Sequence, residues 1–513
     1  MARLHEYQGK ALLAARGIAV PRGKAVSSAD EARDAAAALL RDGCTEVVIK
    51  IQAWTTGRAA LGGVAFASTA EEAAAHASRM LAMSVGNFPV SQVLIEEKLP
   101  IATELFVSVF IDDASRAPAM LVSLSGGSGV EERAGKVHRL PADVHTGLND
   151  HVLATILRGS GIDEKNHHSL AVAIKSTFRA AKECEARSVE INPLVITKDG
   201  RVMAADCRVT IDDYAVFRHP ELGIDIAREL DHPPTELERI AYRVEQGDHR
   251  GTFFFAQLQR RGTADELVIG FHGAGGGGSM MSMDAITQEG FTLANFCDTS
   301  GNPSSAKVYA AARIILSQPG LIGYFGSGSG VASQEQYHSA YGLAKAFNEV
   351  GLDLPAVIRL GGNSEDRAVE ILEGACKHLK VKVEGYKKDD TPTEVAQRFH
   401  TLVSEWRRAG GTARDVFKRR VPPFVGAASS TSFRLKRGTA WIDSAKCDAT
   451  SRALVVQHAG GVLKDEGGRL VPAVPPDELA EKDSEFIAVE VEMIRAGHPV
   501  VFVDMPIQGI DSE

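Results

Sequence analysis

No run of apolar residues in the sequence approaches the roughly 18–20 needed to cross a bilayer, so no membrane span is expected. There is no long basic run either. With a formal net charge of −9, nucleic acid is not an expected partner. The six cysteines (Cys44, Cys184, Cys207, Cys297, Cys376 and Cys447) are scattered and form no CxxC, which argues against a zinc knuckle and a disulfide framework. The start, MARLHEYQGKALLAARG, has no apolar stretch of the secretory kind and reads as an amphipathic helix, so a cytoplasmic protein is expected. No internal repeat is visible, and GAGGGGS is the one low-complexity tract. What remains is a chain of 513 residues, 44% hydrophobic and 24% charged, an ordinary globular balance. It is too long for one core, and roughly two to four domains are expected.

Residues 1–240 alternate short β-branched runs (EVVIKIQ, QVLIEE, LFVSVFI, AMLVSLS) with alanine-rich helical stretches, which predicts mixed α/β layers. The segment FRHPELGIDIARELDHPPTELER, dense in charge and proline, reads as a boundary. Across 250–410 the rhythm becomes strand, glycine loop, helix, strand, which predicts a doubly wound parallel sheet of flavodoxin-like type. Residues 415–513, basic and serine-rich first and then made of short strand-like runs up to FIAVEVEMIRAGHPVVFVDMP, are expected to form a small α/β appendage serving interface or regulation, with no chemistry assigned. An iron–sulfur cluster there is excluded, because four cysteines are needed and only Cys447 is present.

Three polar residues stand out in the apolar stretch SVEINPLVITKDGRVMAADCRV (188–209). Glu190 and Asn192 are two apart and so share one face of a strand. Lys198-Asp199-Gly200 predicts a three-residue turn with glycine in the left-handed region. That loop length sets Asn192 opposite Asp206 and Glu190 opposite Arg208. The resulting edge offers hard oxygen donors, which suit Mg²⁺. A two-residue loop would instead turn Asp206 to the other face, and a merely solvated polar face is the plainer alternative.

Other positions fit an anion site. Lys50 ends a strand before the small-residue loop TTGRAALGG, which contains Gly57 and Arg58, and a lysine there is placed to neutralise phosphate as a point charge. Glu96 and Glu97 close the strand QVLIEE, with carboxylates suited to ribose hydroxyls, and Glu104 begins the next strand. SLSGGSGVEE (123–132) is a further glycine turn. Downstream, GFHGAGGGGSMMSMD brings His272, Gly273 and Gly275 to a strand–helix junction, where backbone amides can cradle an anion. Gly326, Ser327 and Gly328 form a second such junction, and Arg359 and Asn363 a third; together the three suit a small carboxylate, with Arg359 as its charge partner. The plainer readings are a surface lysine, flexible glycine turns and an ordinary salt bridge for Arg359.

In order along the chain, LHEYQGKALLAARGIAVP, VVIK with its Gly-Arg loop, VLIEE, ATELFVSVFIDD, GGSGVEE and EINPLVITKDGRVMAAD resemble the β subunit of succinyl-CoA synthetase and, equally, the amino-terminal half of ATP-citrate lyase. The resemblance runs to about residue 400. It implies an ATP-grasp fold for residues 1–240, followed by a CoA-ligase domain. It further implies phosphate contacts from Lys50, with Gly57 and Arg58 in the nucleotide loop, nucleoside contacts from Glu96 and its neighbours, and Mg²⁺ at Asn192 and Asp206. Glu190 would meet a phosphohistidine carried by a separate α-type subunit, which would also hold most of the CoA. The implied activity is ADP-forming acyl-CoA synthesis from a small carboxylic acid, with ATP or GTP, in a hetero-oligomer. His272 resembles the α-subunit histidine motif, but its position along the chain matches the β-subunit glycine loop. One departure stands in the nucleotide loop: Thr56-Gly57-Arg58-Ala59-Ala60 lacks the lysine of the family's Gly-Gly-Arg-Gly-Lys pattern. It motivates one alternative, a non-catalytic regulatory or scaffolding paralogue. A stand-alone ATP-grasp carboxylate ligase is the other.

Overall fold

A computed structural model describes residues 1–124, 137–248, 250, 252–258, 266–328, 330, 332–413, 430–434, 439–443, 463–466, 469–472, 483–497, 505, 507 and 509–510. Most of the glycine turn at 123–132, and Cys447, lie outside the described residues. The chain divides into two compact units, Met1–Pro234 and Thr235–Glu513. No helix among the described residues is long and apolar enough to cross a membrane.

Beside the two-stranded pair Ser84–Val85 with Phe88–Pro89, the first unit holds two large antiparallel sheets. The smaller runs Gly23–Val26, Val93–Glu97, Val47–Ile51, Val64–Ala67 in spatial order. Helices Ala29–Arg41 and Ala70–Leu81 start where the hydroxyls of Ser28 and Thr69 accept the amides of Glu31 and Glu72. Their alanine faces (Ala32, Ala36, Ala73, Ala77) close on Val47, Ile49 and Ile95 to make one core. The larger sheet runs Ala2–Arg3, Cys207–Ile211, Ala186–Thr197, Ile101–Asp112, Ala117–Ser123, Val137–Pro141, with Val202–Ala204 also paired to Ala186–Thr197. Leu170, Ile174 and Phe178 of helix His167–Glu183 pack against it.

The expected hairpin register is the observed one. Ile196 pairs Val202, Leu194 pairs Ala204 and Glu190 pairs Arg208, and the Asn192 amide donates to the Asp206 carbonyl at 3.1 Å. The turn closes through Thr197 and Arg201, with Gly200 at φ +84°, where a side chain would be strained.

The second unit is built on a largely parallel sheet. Its order is Phe254–Gln257, Asn295–Asp298, Val268–Ala274, Tyr324–Gly328, Ala356–Arg359, Val383–Tyr386, with only the first strand antiparallel to its neighbour. Counted along the chain, the parallel strands stand in the order 2-1-3-4-5, the flavodoxin-like winding. Gly276–Gln288 and Pro392–Arg408 pack together, and Ile286, Phe399 and Val403 share a core with strand residues Ile269, Phe271 and Phe325. Ser305–Leu316, Tyr337–Val350 and Glu365–Cys376 belong to a different core, with Tyr324, Ala356 and Ile358. Winding order therefore reverses between Val268–Ala274 and Tyr324–Gly328, and both glycine loops follow these two strands. From the carboxyl-terminal segment, the run FIAVEVEMIR, expected to be strand-like, is part of helix Asp483–Arg495, which contributes Phe486, Ile487, Val489 and Val491 to that second core; burial of its apolar residues there outweighs their β propensity.

Candidate functional site

Strand alternation decides which way each charged group of the smaller sheet faces. Val47, Ile49 and Ile51 are fully buried in the core, so Lys50 lies on the opposite face. Glu96 pairs with Val48 and shares that face with Lys50, whereas Glu97, one residue on, is turned away. The two glutamates therefore part company. Glu97 accepts the backbone and side-chain N–H groups of Arg22, each at 3.0 Å, and Glu96 is buried against lysines.

Two residues of helix Glu6–Ala14 complete this face. Glu6 and Lys10, one turn apart, are both buried. Glu6 Oε1 accepts Lys10 Nζ at 2.7 Å and Lys50 Nζ at 2.8 Å, and Glu6 Oε2 accepts an Arg58 amine at 2.6 Å. Glu96 binds Lys10 through Oε1 and Lys50 through Oε2, the latter at 2.9 Å. Arg58 reaches on to Asp206, and Lys50 also donates to the Ala205 carbonyl at 2.9 Å. Three cations thus face three carboxylates. The Arg58 loop holds itself in place: Gly57 sits at φ +64°, Ala60 donates to Gly57, and Gly63 donates to the Arg58 carbonyl at 2.8 Å.

The electrostatics follow from this crowding. Burial alone would raise the pKa of Glu6, but Lys50, Lys10 and Arg58 outweigh it and hold the carboxyl far below its ordinary range. Burial would lower Lys50 and Arg58, yet the neighbouring carboxylates hold both above their usual values. Asp206 goes the other way. Burial and the charge of Glu6 push its carboxyl up, against the pull of Arg58 and Lys50.

Across the hairpin, Asn192 is exposed and its amide donates to Glu190 Oε1 at 3.4 Å. Glu104 pairs with Val195 on the neighbouring strand and is half-buried. The structure brings Lys50, Arg58, Glu96 and Asp206 into contact, and places Asn192 opposite Asp206. It does not bring Glu97 to this cluster. Asp206 and Asn192 offer one carboxylate and one amide oxygen, hard donors of the kind Mg²⁺ takes, although Arg58 holds the carboxylate here. Among the described residues no group of three or more His, Cys, Asp or Glu side chains is arranged to hold a metal.

In the second unit the first glycine loop stands between a strand and a helix, whereas Gly326, Ser327 and Gly328 end a strand and the short strand Ala332–Glu335 precedes the next helix, Tyr337–Val350. Gly275, at φ +96°, caps helix Gly276–Gln288 and donates to Asp298 Oδ1 at 2.8 Å. A side chain on Gly273 would collide with Ser279 and with the Cys297 carbonyl at 2.9 Å, and one on Gly326 with Ile358 at 2.8 Å. The first amides of the helix, at Gly276–Gly278, stand where helices bind anions. Ser282 donates to Ser327 at 2.7 Å, linking this helix to the end of the Tyr324–Gly328 strand. His272 lies inside. Its ring is buried, Nδ1 meets the Tyr324 hydroxyl at 2.6 Å and Nε2 meets Thr299 at 3.0 Å, and burial lowers its pKa to about 4. Arg359 is not free for a ligand carboxylate as the sequence suggested. Its nitrogens donate to the carbonyls of Gly328, Lys388 and Asp390 at 2.8, 2.6 and 2.7 Å, so it braces the loops. Asn363 is exposed, and its carbonyl accepts the Gln336 amide at 2.8 Å.

Sequence reasoning missed Glu6, Lys10 and Asp298. The signal for the first two was a glutamate–lysine pair at i,i+4 in a helix whose Leu12 and Leu13 are core residues.

The buried charge cluster of the first unit and the doubly wound sheet of the second are the setting in which the family matches fall, and the class those matches give is that of ATP-grasp ligases. Residues 3–196 match the ATP-grasp domain family. The β subunit of the GDP-forming succinate–CoA ligase of Thermus thermophilus is 33% identical over 376 residues, covering 72% of this chain and 93% of that protein. The β subunit of the ADP-forming enzyme of Ralstonia nicotianae is 34% identical over 384 residues, covering 72% and 92%. The chain belongs to the succinate–CoA ligase β-subunit family. Its fold is shared with ATP citrate lyase from Methanothrix soehngenii, solved with citrate and coenzyme A, at a TM-score of 0.59 and 20% identity, over 79% of this chain and 99% of that one.

Proposed function

We propose that the chain is the nucleotide-binding, β-type subunit of an acid–thiol ligase that forms acyl-CoA from a small carboxylic acid, CoA and ATP or GTP, releasing the nucleoside diphosphate and phosphate. Its partner would be an α-type subunit that carries the phosphorylated histidine and most of the CoA site. The observation that carries this reading is the convergence of Lys50 and Arg58 with Asp206, opposite Asn192, on one edge of a chain of this family.

In this reading Lys50 and Arg58 receive the polyphosphate as fixed positive charges, with Glu6 and Glu96 holding Lys50 in place. Asp206 and Asn192 hold Mg²⁺, which supplies neutralisation of phosphate charge. Glu190 meets the partner's histidine. Glu104 is the carboxylate left for the nucleoside, since Glu97 is paired with Arg22. At the second unit the amides of Gly276–Gly278 and the Gly326–Gly328 strand end receive the phosphoryl or carboxylate anion. Arg359 acts through the loops it braces, as a positive charge beneath them.

The test is nucleoside diphosphate release by the full chain co-expressed with an α-type chain, over a panel of di- and tricarboxylic acids with CoA. CoA-dependent release with one acid is the expected result. The arginine closed on Asp206 and the Ala59-Ala60 sequence favour a second reading, a non-catalytic paralogue, which the absence of both turnover and Mg-ATP binding would establish.

A further inference from the structure

The six charges of the buried cluster in the first unit form two layers. Glu6, Lys10 and Glu96 are the inner one, with side chains only 3–4% exposed. Lys50, Arg58 and Asp206 are the outer one, at 13%, 14% and 30%. The inner layer carries a net charge of −1 and holds two outer cations. Lys50 has used its three donors, on Glu6, Glu96 and the Ala205 carbonyl. Arg58 is divided: one amine is tied to buried Glu6 and the Ile51 carbonyl, and the other to Asp206. Within the cluster, the Arg58–Asp206 pair alone has both members open to solvent.

We infer that the Arg58–Asp206 ion pair is an exchange contact that makes metal binding and nucleotide binding depend on each other. The inference rests on the nucleotide-site reading above and deepens it. With three cations against three carboxylates, the cluster is neutral as it stands. A divalent cation at Asp206 without a nucleotide would face the Arg58 guanidinium across the same carboxylate. A polyphosphate at Arg58 without a metal would face Asp206. Each ligand alone therefore meets a like charge in a site of reduced solvent screening, and the two together do not. Glu6 keeps its hold on one arm of Arg58 while the other arm turns from Asp206 to phosphate. The backbone bonds of the loop from Gly57 to Gly63 need not break. Glu6 is then a positioning residue, and Asp206 is released to the metal only when phosphate replaces it.

The experiment is calorimetry on the full chain with three probes: Mg²⁺ alone, ATP in excess EDTA, and Mg-ATP. For the unmodified chain, Mg²⁺ is expected to tighten ATP binding by about tenfold or more, within the usual range of coupling between sites. Arg58→Ala should bind Mg²⁺ alone several-fold more tightly than the unmodified chain, and the gain should vanish when Asp206→Asn is added. Asp206→Asn by itself should bind metal-free ATP several-fold more tightly. Loss of a structural contact would produce neither gain. Circular dichroism checks folding, and if Arg58→Ala does not fold, the Asp206→Asn arm decides. Mg-ATP binding by the unmodified chain with neither gain in the variants overturns the exchange alone. No Mg-ATP binding by the unmodified chain overturns the nucleotide site, and the exchange with it.

Discussion

Each unit buries a cluster of charges, and the two clusters are finished differently. In the first, the outermost pair, Arg58 and Asp206, keeps 14% and 30% of its side-chain surface. In the second, Arg313 and Lys345 meet Glu349 at 3.4 and 3.7 Å, Lys345 meets Glu490 of helix Asp483–Arg495 at 2.7 Å, and none of these side chains exceeds 5% exposure. Tyr309 donates to Glu349 at 2.8 Å. A sealed cluster has no route by which a ligand could replace one of its ions, so its role is to join elements. Here it fastens the carboxyl-terminal helix to helices Ser305–Leu316 and Tyr337–Val350. An open cluster can exchange partners. The same side-chain types therefore serve cohesion in one unit and, in the function proposed above, ligand capture in the other, and the difference lies in access to water.

Breaking the sealed cluster should have the largest effect. Glu349→Ala leaves Arg313 and Lys345 short of a buried counter-charge and should cost about 3–5 kcal/mol. Its chemical denaturation curve should shift strongly while Mg-ATP affinity stays unchanged. Next is acid. Because His272 is held neutral with a pKa of about 4 against an ordinary 6.5, the unfolded chain takes the proton first as pH falls. Stability of the second unit should therefore be full above pH 6.5 and decline toward pH 4, by about 3 kcal/mol at the low end. His272→Gln should flatten that profile in melts taken across the range. In the open cluster, Asp206→Asn should weaken Mg-ATP binding about tenfold, or ~1.4 kcal/mol, with little change in melting temperature. The smallest effect sharpens the contrast. Replacing Lys345 and Glu490 together by methionine should change stability by no more than about 1 kcal/mol, since an apolar pair can substitute for a sealed ion pair. The same exchange at Lys50 and Glu96 should abolish Mg-ATP binding in calorimetry.

Local patterns were readable where one short stretch decides its own geometry. The three-residue Lys198-Asp199-Gly200 turn dictated the hairpin register, and with it the meeting of Asn192 and Asp206. The regular spacing of strands and glycine loops over 250–410 predicted the doubly wound sheet and its two glycine loops at the switch point. Strand alternation also separates Glu96 from Glu97. Other features depended on elements distant along the chain. Glu6 lies 90 residues from Glu96 and 200 from Asp206 in sequence, and nothing in LHEYQGKALL says which strand its helix will cover. Arg359 looked like a charge offered to a ligand, because carbonyls near residues 328, 388 and 390 leave no mark in side-chain patterns.

By itself, then, the sequence determined the element types of the first 410 residues in outline, the doubly wound class of the second unit, the hairpin register and the identity of the charged groups, since each follows from backbone geometry over a few residues. The run FIAVEVEMIR was misread from sequence as strand-like where the chain is helical. Only the tertiary structure decided which of those charges meet and which are sealed. It set Arg58 on Asp206, buried His272 and placed helix Asp483–Arg495 in the core of the second unit. The physical reason is that the free energy of a charge depends on desolvation and on neighbours within a few ångströms, and both are set by packing between segments far apart in the chain.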